Sequence, residues 1–240
     1  MRIAVVGYGR MGKLIAELAE SRGHFISFRI HSENKDDINK ISPKNTDVAV
    51  EFTHPEAAFH NIITLLNNKV RVVSGTTGWL DNYKQARDTC IKNKTAFLYA
   101  SNFSIGVNVM FAVNRYLAEK MKLLDDYRIQ IREMHHTRKI DAPSGTAIAL
   151  ERGIIAALGD ENYKNRSKPI VSERIDPCPG THEINYTSKI DRISLVHEAF
   201  SRDGFVLGAV VAAEWLKDKE GVYDMSDVLS MDTEFTKSQL

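Results

Sequence analysis

The chain has 240 residues, 43% of them apolar, and 32 Lys+Arg against 31 Asp+Glu leave a formal charge of +1. That length suffices for a sizeable core and two modest domains, and the absence of any long run of like charges argues against a nucleic-acid arm or an acidic tail. Cys90 and Cys178 stand far apart with no second thiol near either, which argues against a disulfide framework or a zinc knuckle; no stretch reaches the roughly 18 apolar residues of a membrane span, so a soluble, cytoplasmic protein is expected.

Arg2 to Val6 is an apolar, β-branched run such as a central parallel strand carries when both faces are covered, and a helical pattern at Met11, Leu14, Ile15 and Leu18 follows. Between them "GYGRMG" sets Gly7, Gly9 and Gly12 at the G-x-G-x-x-G spacing, after a strand and opening a helix. The first glycine makes a tight turn, the second admits a pyrophosphate to the backbone, and the third lets helix and strand approach. The helix N-terminus adds N–H donors and a positive dipole end, so a dinucleotide cofactor is expected.

The second strand is "FISFRI", Phe25 to Ile30, and the residue after it should distinguish the nicotinamide cofactors, because an acid there binds the ribose 2'-hydroxyl. His31 stands there, followed by Ser32 and Glu33. A histidine is not an anionic acceptor and, with Arg29 or Lys35, tolerates a 2'-phosphate. The reading leans to NADPH, with NADH left open by Glu33.

Alternation continues through "DVAVEF" (Asp47 to Phe52), a helix opened by Pro55, "VRVVSG" (Val70 to Gly75), a helix near Asp81 to Asn93 and "AFLYAS" (Ala96 to Ser101). Five strands alternating with helices predict a right-handed, doubly wound parallel sheet, the α/β class. The polar segment Ile38 to Asn45 shows no helical pattern. "GTTG" (Gly75 to Gly78) and "ASNFS" (Ala100 to Ser104) follow the fourth and fifth strands, where an open α/β sheet binds its ligand.

After Ser104 the rhythm changes. "GVNVMFAVNRYLAEKMKLL" predicts a long helix, "YRIQIREMHH" a half-buried strand, "GTAIALERGIIAAL" a second helix, and "EINYTS" and "RISLVHEAF" two more strands, an α+β domain with an open mixed sheet. The polar, Pro-containing stretch Asp160 to Pro179 reads as a mobile surface loop. "GFVLGAVVAAEWL" returns to helix, and "GVYDMSDVL" is placed to pack back on the first domain. The expected division is residues 1–103, closed by the tail 203–240, and residues 104–202.

"EMHHTRKIDAPSGTA", Glu133 to Ala147, concentrates the polar chemistry. Side chains alternate along a strand, so His135 and His136 point to opposite faces and do not serve one metal through that strand; with no third ligand at a helpful spacing, no metal is expected. A histidine titrating near neutrality supplies a proton donor, and Lys139 a cationic anchor or a second acid. Pro143 holds Ala142 extended, Ser144 is a plausible N-cap, and Gly145 and Thr146 open a helix, which makes a cradle for a carboxylate or phosphate. These residues describe a reductase of a small acid.

E-x-HH-x-x-K-x-DAPSGTA, downstream of "GYGRMG", "VEFTHPEA", "GTTG" and "ASNFSIGVNV", resembles the 4-hydroxy-tetrahydrodipicolinate reductases, the dihydrodipicolinate reductases of lysine and diaminopimelate synthesis, over nearly the whole chain. The resemblance implies a Rossmann-type domain, a substrate and tetramerisation domain, a homotetramer, and NADPH- or NADH-dependent reduction of a cyclic hydroxy-imine dicarboxylate with loss of water. It implies His135 as proton donor or acceptor and Lys139 as the second donor. His136, Gly145 and Thr146, with Ser144 beside them, take the substrate-carboxylate contacts. Gly7, Tyr8, Gly9, Arg10, Met11 and Gly12, then Gly75, Thr76 and Thr77, then Ala100, Ser101, Asn102 and Phe103, take the cofactor loops. Arg202, in "SRDGF", falls at a late Ser-Arg turn of the family. The family often carries an acid where His31 stands, and a longer segment where "PGTHEINYTS" stands. A semialdehyde dehydrogenase or a cofactor sensor would share the first half of the chain but leaves HH-x-x-K beside SGT unexplained.

Overall fold

A computed structural model describes residues 1–230. Among the described residues the chain divides into two compact units, Met1–Ile105 with residues 205–230, and Gly106–Gly204.

In the first unit β1 (Arg2–Val6), α1 (Arg10–Ser21), β2 (Phe25–Ile30), β3 (Val48–Glu51), α2 (Pro55–Asn67), β4 (Arg71–Ser74), α3 (Tyr83–Lys92) and β5 (Ala96–Tyr99) alternate along the chain. β1 and β3 to β5 are buried nearly throughout, as expected of parallel strands covered on both faces. The segment Ser32–Lys40, which overlaps the start of the patternless stretch Ile38 to Asn45, forms short 3-10 turns, and Asn34 braces their start by accepting from His31 N at 2.8 Å and donating to Arg29 O at 3.0 Å.

The second unit contains α4 (Ile105–Lys120, whose first residue belongs to the first unit), β6 (Arg128–His135), α5 (Gly145–Leu158), α6 (Asp160–Arg166), β7 (Val171–Arg174), β8 (Gly180–Thr187) and β9 (Arg192–Ala199). Its sheet runs β7-β6-β8-β9, parallel between β6 and β7 and antiparallel elsewhere. Ile129 and Ile131 of β6 and Ile184 and Tyr186 of β8 share one face and pack with Leu150 and Ile154 of α5.

Asp160 to Pro179 corrects the sequence reading of a mobile surface loop, because it folds as α6 and β7. Tyr163 and Arg166 are buried on one side of α6, and Arg166 caps main-chain oxygens of Tyr127 and Met121 at 3.0 Å each. These non-local partners leave no periodic signal in so short a polar segment.

α7 (Asp203–Leu216) leads back to the first unit, where β10 (Gly221–Tyr223) pairs in parallel with β5, followed by α8 (Met225–Val228). The completed sheet has the order β10-β5-β4-β3-β1-β2. Residues 231–240, the end of the expected closing tail, lie outside the described residues.

Candidate active site

The chain leaves β1 for β2 on one side and then crosses back to β3 on the other, so the strand order reverses between β1 and β3. Ligands of open α/β sheets sit at the carboxyl ends of the strands at such a reversal. Gly7 to Gly12 follow β1, Gly75 to Thr77 follow β4 and Ala100 to Phe103 follow β5, all at that end of one sheet. A cleft of about 220 Å³ opens there, lined by Met11, Phe52, Thr53, Pro55, Gly75, Thr76 and Thr77.

The glycines are explained by what approaches them. Gly7 has φ +98°, and a Cβ on it would lie 2.1 Å from Phe52 O; a Cβ on Gly12 would lie 2.2 Å from Gly7 O, and one on Gly75 2.3 Å from the Phe52 ring. Gly9 differs, because nothing lies within 4 Å of its Cβ position. It is the N-cap of α1 and has no side chain to cap the helix, so the positive end of the helix faces open space bounded by backbone. A pyrophosphate fits such a cradle.

Phe52 and Thr53 were not assigned from sequence, though they lie in the quoted "VEFTHPEA". Both line the cleft, and the Phe52 ring lies 5.4 Å from that of Phe103. Beneath them Glu51 is fully buried and accepts from Thr76 Oγ1 at 3.0 Å, Ser74 Oγ at 2.7 Å, Thr53 N at 3.1 Å and, more closely, Thr53 Oγ1. Burial raises its pKa, and the four donors oppose that rise. One carboxylate thus ties the loop after β3 to the loop after β4.

Replacing Glu51 by Ala leaves several buried donors without an acceptor and is expected to cost about 3 kcal/mol of stability and to weaken cofactor binding. Glu51→Gln keeps one acceptor, and the Ser74 hydroxyl turns to accept from the new amide, so its loss is smaller. Thermal unfolding and cofactor fluorescence quenching on the two variants check this. Equal losses would show that volume, not hydrogen bonding, is what the loops need.

After β2, His31 is exposed at the start of the 3-10 turns. Arg29 pairs with Glu20 at 2.5 Å and lies 5.9 Å from the centre of the Tyr8 ring.

The second constellation lies in the other unit. His135 ends β6, is 8% exposed, and has Nδ1 2.6 Å from Glu133 Oε2. Glu133 has no exposed side-chain surface, and its Oε1 accepts from Arg174 Nη2 at 3.1 Å and from Ser144 N at 3.2 Å. Ser144 is the N-cap that the sequence suggests, its Oγ accepting from Ala147 N at 3.2 Å. The same Oγ lies 3.2 Å from His182 Nε2 on β8. His136 follows the strand and is half-buried, Lys139 is half-buried in the turn, and Gly145 and Thr146 begin α5 with Gly145 exposed. Lys139 Nζ pairs with both oxygens of Asp141, at 2.8 and 2.9 Å.

Charge and burial compete here. Burial lowers the pKa of His135 against the pull of Glu133, and the positive charges of Lys139 and Arg174 lower it further. His182 is pushed down to about 4, by burial first and then by His135, so it is neutral at physiological pH. Burial would raise Glu133, but its donors, Arg174 and Ser144 among them, and the charge of His135 hold it below the usual carboxylate range. An anion held here would offset the local positive charge and favour protonated His135.

Sequence reading missed Glu133 as a partner, together with Arg174 and His182. Spacing showed no third ligand near His135, yet antiparallel pairing sets His182 opposite Glu133, and one atom from each of Glu133, His135 and His182 falls within 4.8 Å of the others. The Arg174 guanidinium on the same carboxylate supplies the positive charge that a cation would bring. Period-two reading of "GTHEINY", with His182 on the face of Ile184 and Tyr186, is the signal that marks His182 as inward.

Comparison with known proteins agrees with this layout. The family description "Dihydrodipicolinate reductase, N-terminus" matches residues 1–103, and "Dihydrodipicolinate reductase, C-terminus" matches 106–229. A 4-hydroxy-tetrahydrodipicolinate reductase of Christiangramia forsetii is 48% identical, covering 96% of this chain and 98% of that protein. One from Neisseria meningitidis serogroup B is 30% identical with the same coverage, 96% and 98%. Among solved structures, a dipicolinate-bound dihydrodipicolinate reductase of a Paenisporosarcina species shares the fold with a TM-score of 0.79 at 23% identity, over 95% of this chain and 98% of that one. By matches that run the length of both units, the chain belongs to the dihydrodipicolinate reductase family.

Proposed function

We propose that this chain reduces 4-hydroxy-tetrahydrodipicolinate to tetrahydrodipicolinate with loss of water, using NAD(P)H, in lysine and diaminopimelate biosynthesis. The observation that carries the reading is the buried His135 set beside a Ser144-capped helix start and Lys139, a proton donor next to an anion cradle. The relatives named above carry that activity in their names.

Bound NAD(P)H supplies the hydride. Gly7 to Gly12 hold its pyrophosphate, and Gly75 to Thr77 and Ala100 to Phe103 line its nicotinamide end. Gly145 and Thr146, at the positive end of α5, take one substrate carboxylate; His136 and Lys139 take the other, with Ser144 beside them. The positive end of α5 at one carboxylate and the Lys139 ammonium at the other offset the charge of the dianion, and the proton comes from His135 or Lys139. The dipicolinate bound by the Paenisporosarcina protein is a dicarboxylate of this class.

His31 in place of an acid favours NADPH. The protein works in the cytoplasm as a homotetramer built on the second unit's sheet, whose outward face offers Arg132, Glu183 and Val196. Among the described residues no helix is long and apolar enough to cross a membrane.

The test follows NADPH and, separately, NADH absorbance when the protein meets substrate formed in situ from pyruvate and aspartate semialdehyde. Rapid oxidation with the larger kcat/KM for NADPH is expected. A protein that binds cofactor yet oxidises neither would overturn the assignment and point to a sensor or a semialdehyde dehydrogenase.

A further inference from the structure

Glu133 is a buried charge of the second unit with partners on three segments of the proton-donor site. Its Oε2 faces His135 Nδ1 at 2.6 Å on β6 itself, and its Oε1 meets the Ser144 amide at the head of α5 and the Arg174 guanidinium on β7. Arg174 in turn donates to the main-chain oxygens of Asp141 at 2.5 Å and Lys139 at 3.3 Å. The turn that carries Lys139 is therefore fastened to the carboxylate that faces His135.

The opposite nitrogen of the imidazole is not enclosed in the same way. A Cβ on Gly180 would lie 3.0 Å from His135 Nε2, so the missing side chain at this position leaves room beside Nε2. A carboxylate oxygen 2.6 Å from Nδ1 favours a proton on that nitrogen through its charge, and this decides what the other nitrogen does.

We infer that Glu133, held by Arg174, is a positioning residue that fixes a proton on His135 Nδ1 and so makes Nε2 the nitrogen that exchanges the catalytic proton. This rests on the proposed role of His135 as the proton donor. The groups facing His135 are Glu133 on β6, Arg174 on β7, His182 on β8 and Lys139 in the turn. Burial is the largest influence and opposes the imidazolium; with His182 neutral in the working range, three charges act on top of it, Glu133 favouring the imidazolium and Lys139 and Arg174 opposing it.

The two ends of the pair should therefore act with opposite sign. Glu133→Gln removes the favourable charge, the imidazolium loses its proton at lower pH, and the alkaline limb of kcat/KM moves down by about one pH unit. Arg174→Met removes an opposing charge, leaves Glu133 in place, and moves the limb up. Loss of packing alone moves neither limb in a signed way.

The experiment pairs pH profiles of the wild type and both variants with 15N NMR titration of the His135 ring, read in the substrate-free protein. Opposite limb shifts, with Nδ1–H in the wild type and a mixture of tautomers in Glu133→Gln, are expected. Unmoved limbs in folded variants, or Nε2–H as the neutral tautomer of the wild type, overturn the inference while leaving the reductase reading intact. Should the wild type reduce no substrate, that reading fails, and the NMR tautomer and its response to both variants still decide what Glu133 does. Should Glu133→Gln not fold, Arg174→Met carries the test, an upward shift supporting the inference and an unmoved limb overturning it.

Discussion

His135→Gln is expected to lower kcat by about 10²–10⁴-fold, the range that a positioned general acid supplies, with cofactor affinity unchanged. Gln is the right replacement because His135 is nearly enclosed, with the His182 ring centroid 5.1 Å from its own and Gly180 beneath it; Ala would add a cavity to the chemical loss. Glu133 stays paired with Arg174 in this variant, so no buried charge is abandoned and the fold should hold. Lys139→Ala separates the second cation. Its partner Asp141 is well exposed, with 58% of its side-chain surface accessible, and such pairs contribute little to stability. A collapse of turnover with an unchanged melting temperature is thus expected, together with a raised substrate KM. Steady-state kinetics on the two single variants and the double variant would show non-additive losses if both groups act on one proton transfer. Wild-type turnover in either single variant would remove that residue from the chemistry.

How much of this was legible in advance follows from which interactions are local. The glycine loop reads directly because its constraints lie within a few residues: a strand ends, the turn needs Gly7 at positive φ, and the helix begins at once. The N-cap at Ser144 is equally local, a hydroxyl three residues from the amide it accepts. The alternating strands and helices of the first unit read from their apolar runs, and the parallel sheet with its reversal between β1 and β3 follows that pattern. What did not read depends on pairing across the sequence. Arg174 reaches Glu133 from 41 residues away and His182 reaches Ser144 from 38. β7, four residues of mixed character, becomes a strand because β6 offers it an edge. Glu51 looks like the polar end of a strand until β4 brings Ser74 and Thr76 against it.

Gly208→Ala is expected to destabilise the first unit strongly by a single methyl group. Gly208 lies in α7, and a Cβ there would sit 1.7 Å from Phe103 O and 3.4 Å from Phe103 Cβ. The clash is with main chain, so no rotamer change relieves it; α7 or the loop after β5 must move. Overpacking of this kind costs about 3 kcal/mol, or roughly 10 °C in Tm for a chain of this length, although Ala is the better helix former at an unconstrained position. The displacement should reach the cofactor cleft, because Phe103 packs on Phe52, whose ring fills the space above Gly75. Thermal unfolding would therefore show a lower Tm, and cofactor titration a weaker Kd, in a variant that changes neither the glycine loop nor any polar side chain. Added cofactor should restore part of the lost Tm through mass action. An unchanged Tm would mean that α7 yields along its own axis without cost, and that Phe103 is not held in place by the helix behind it.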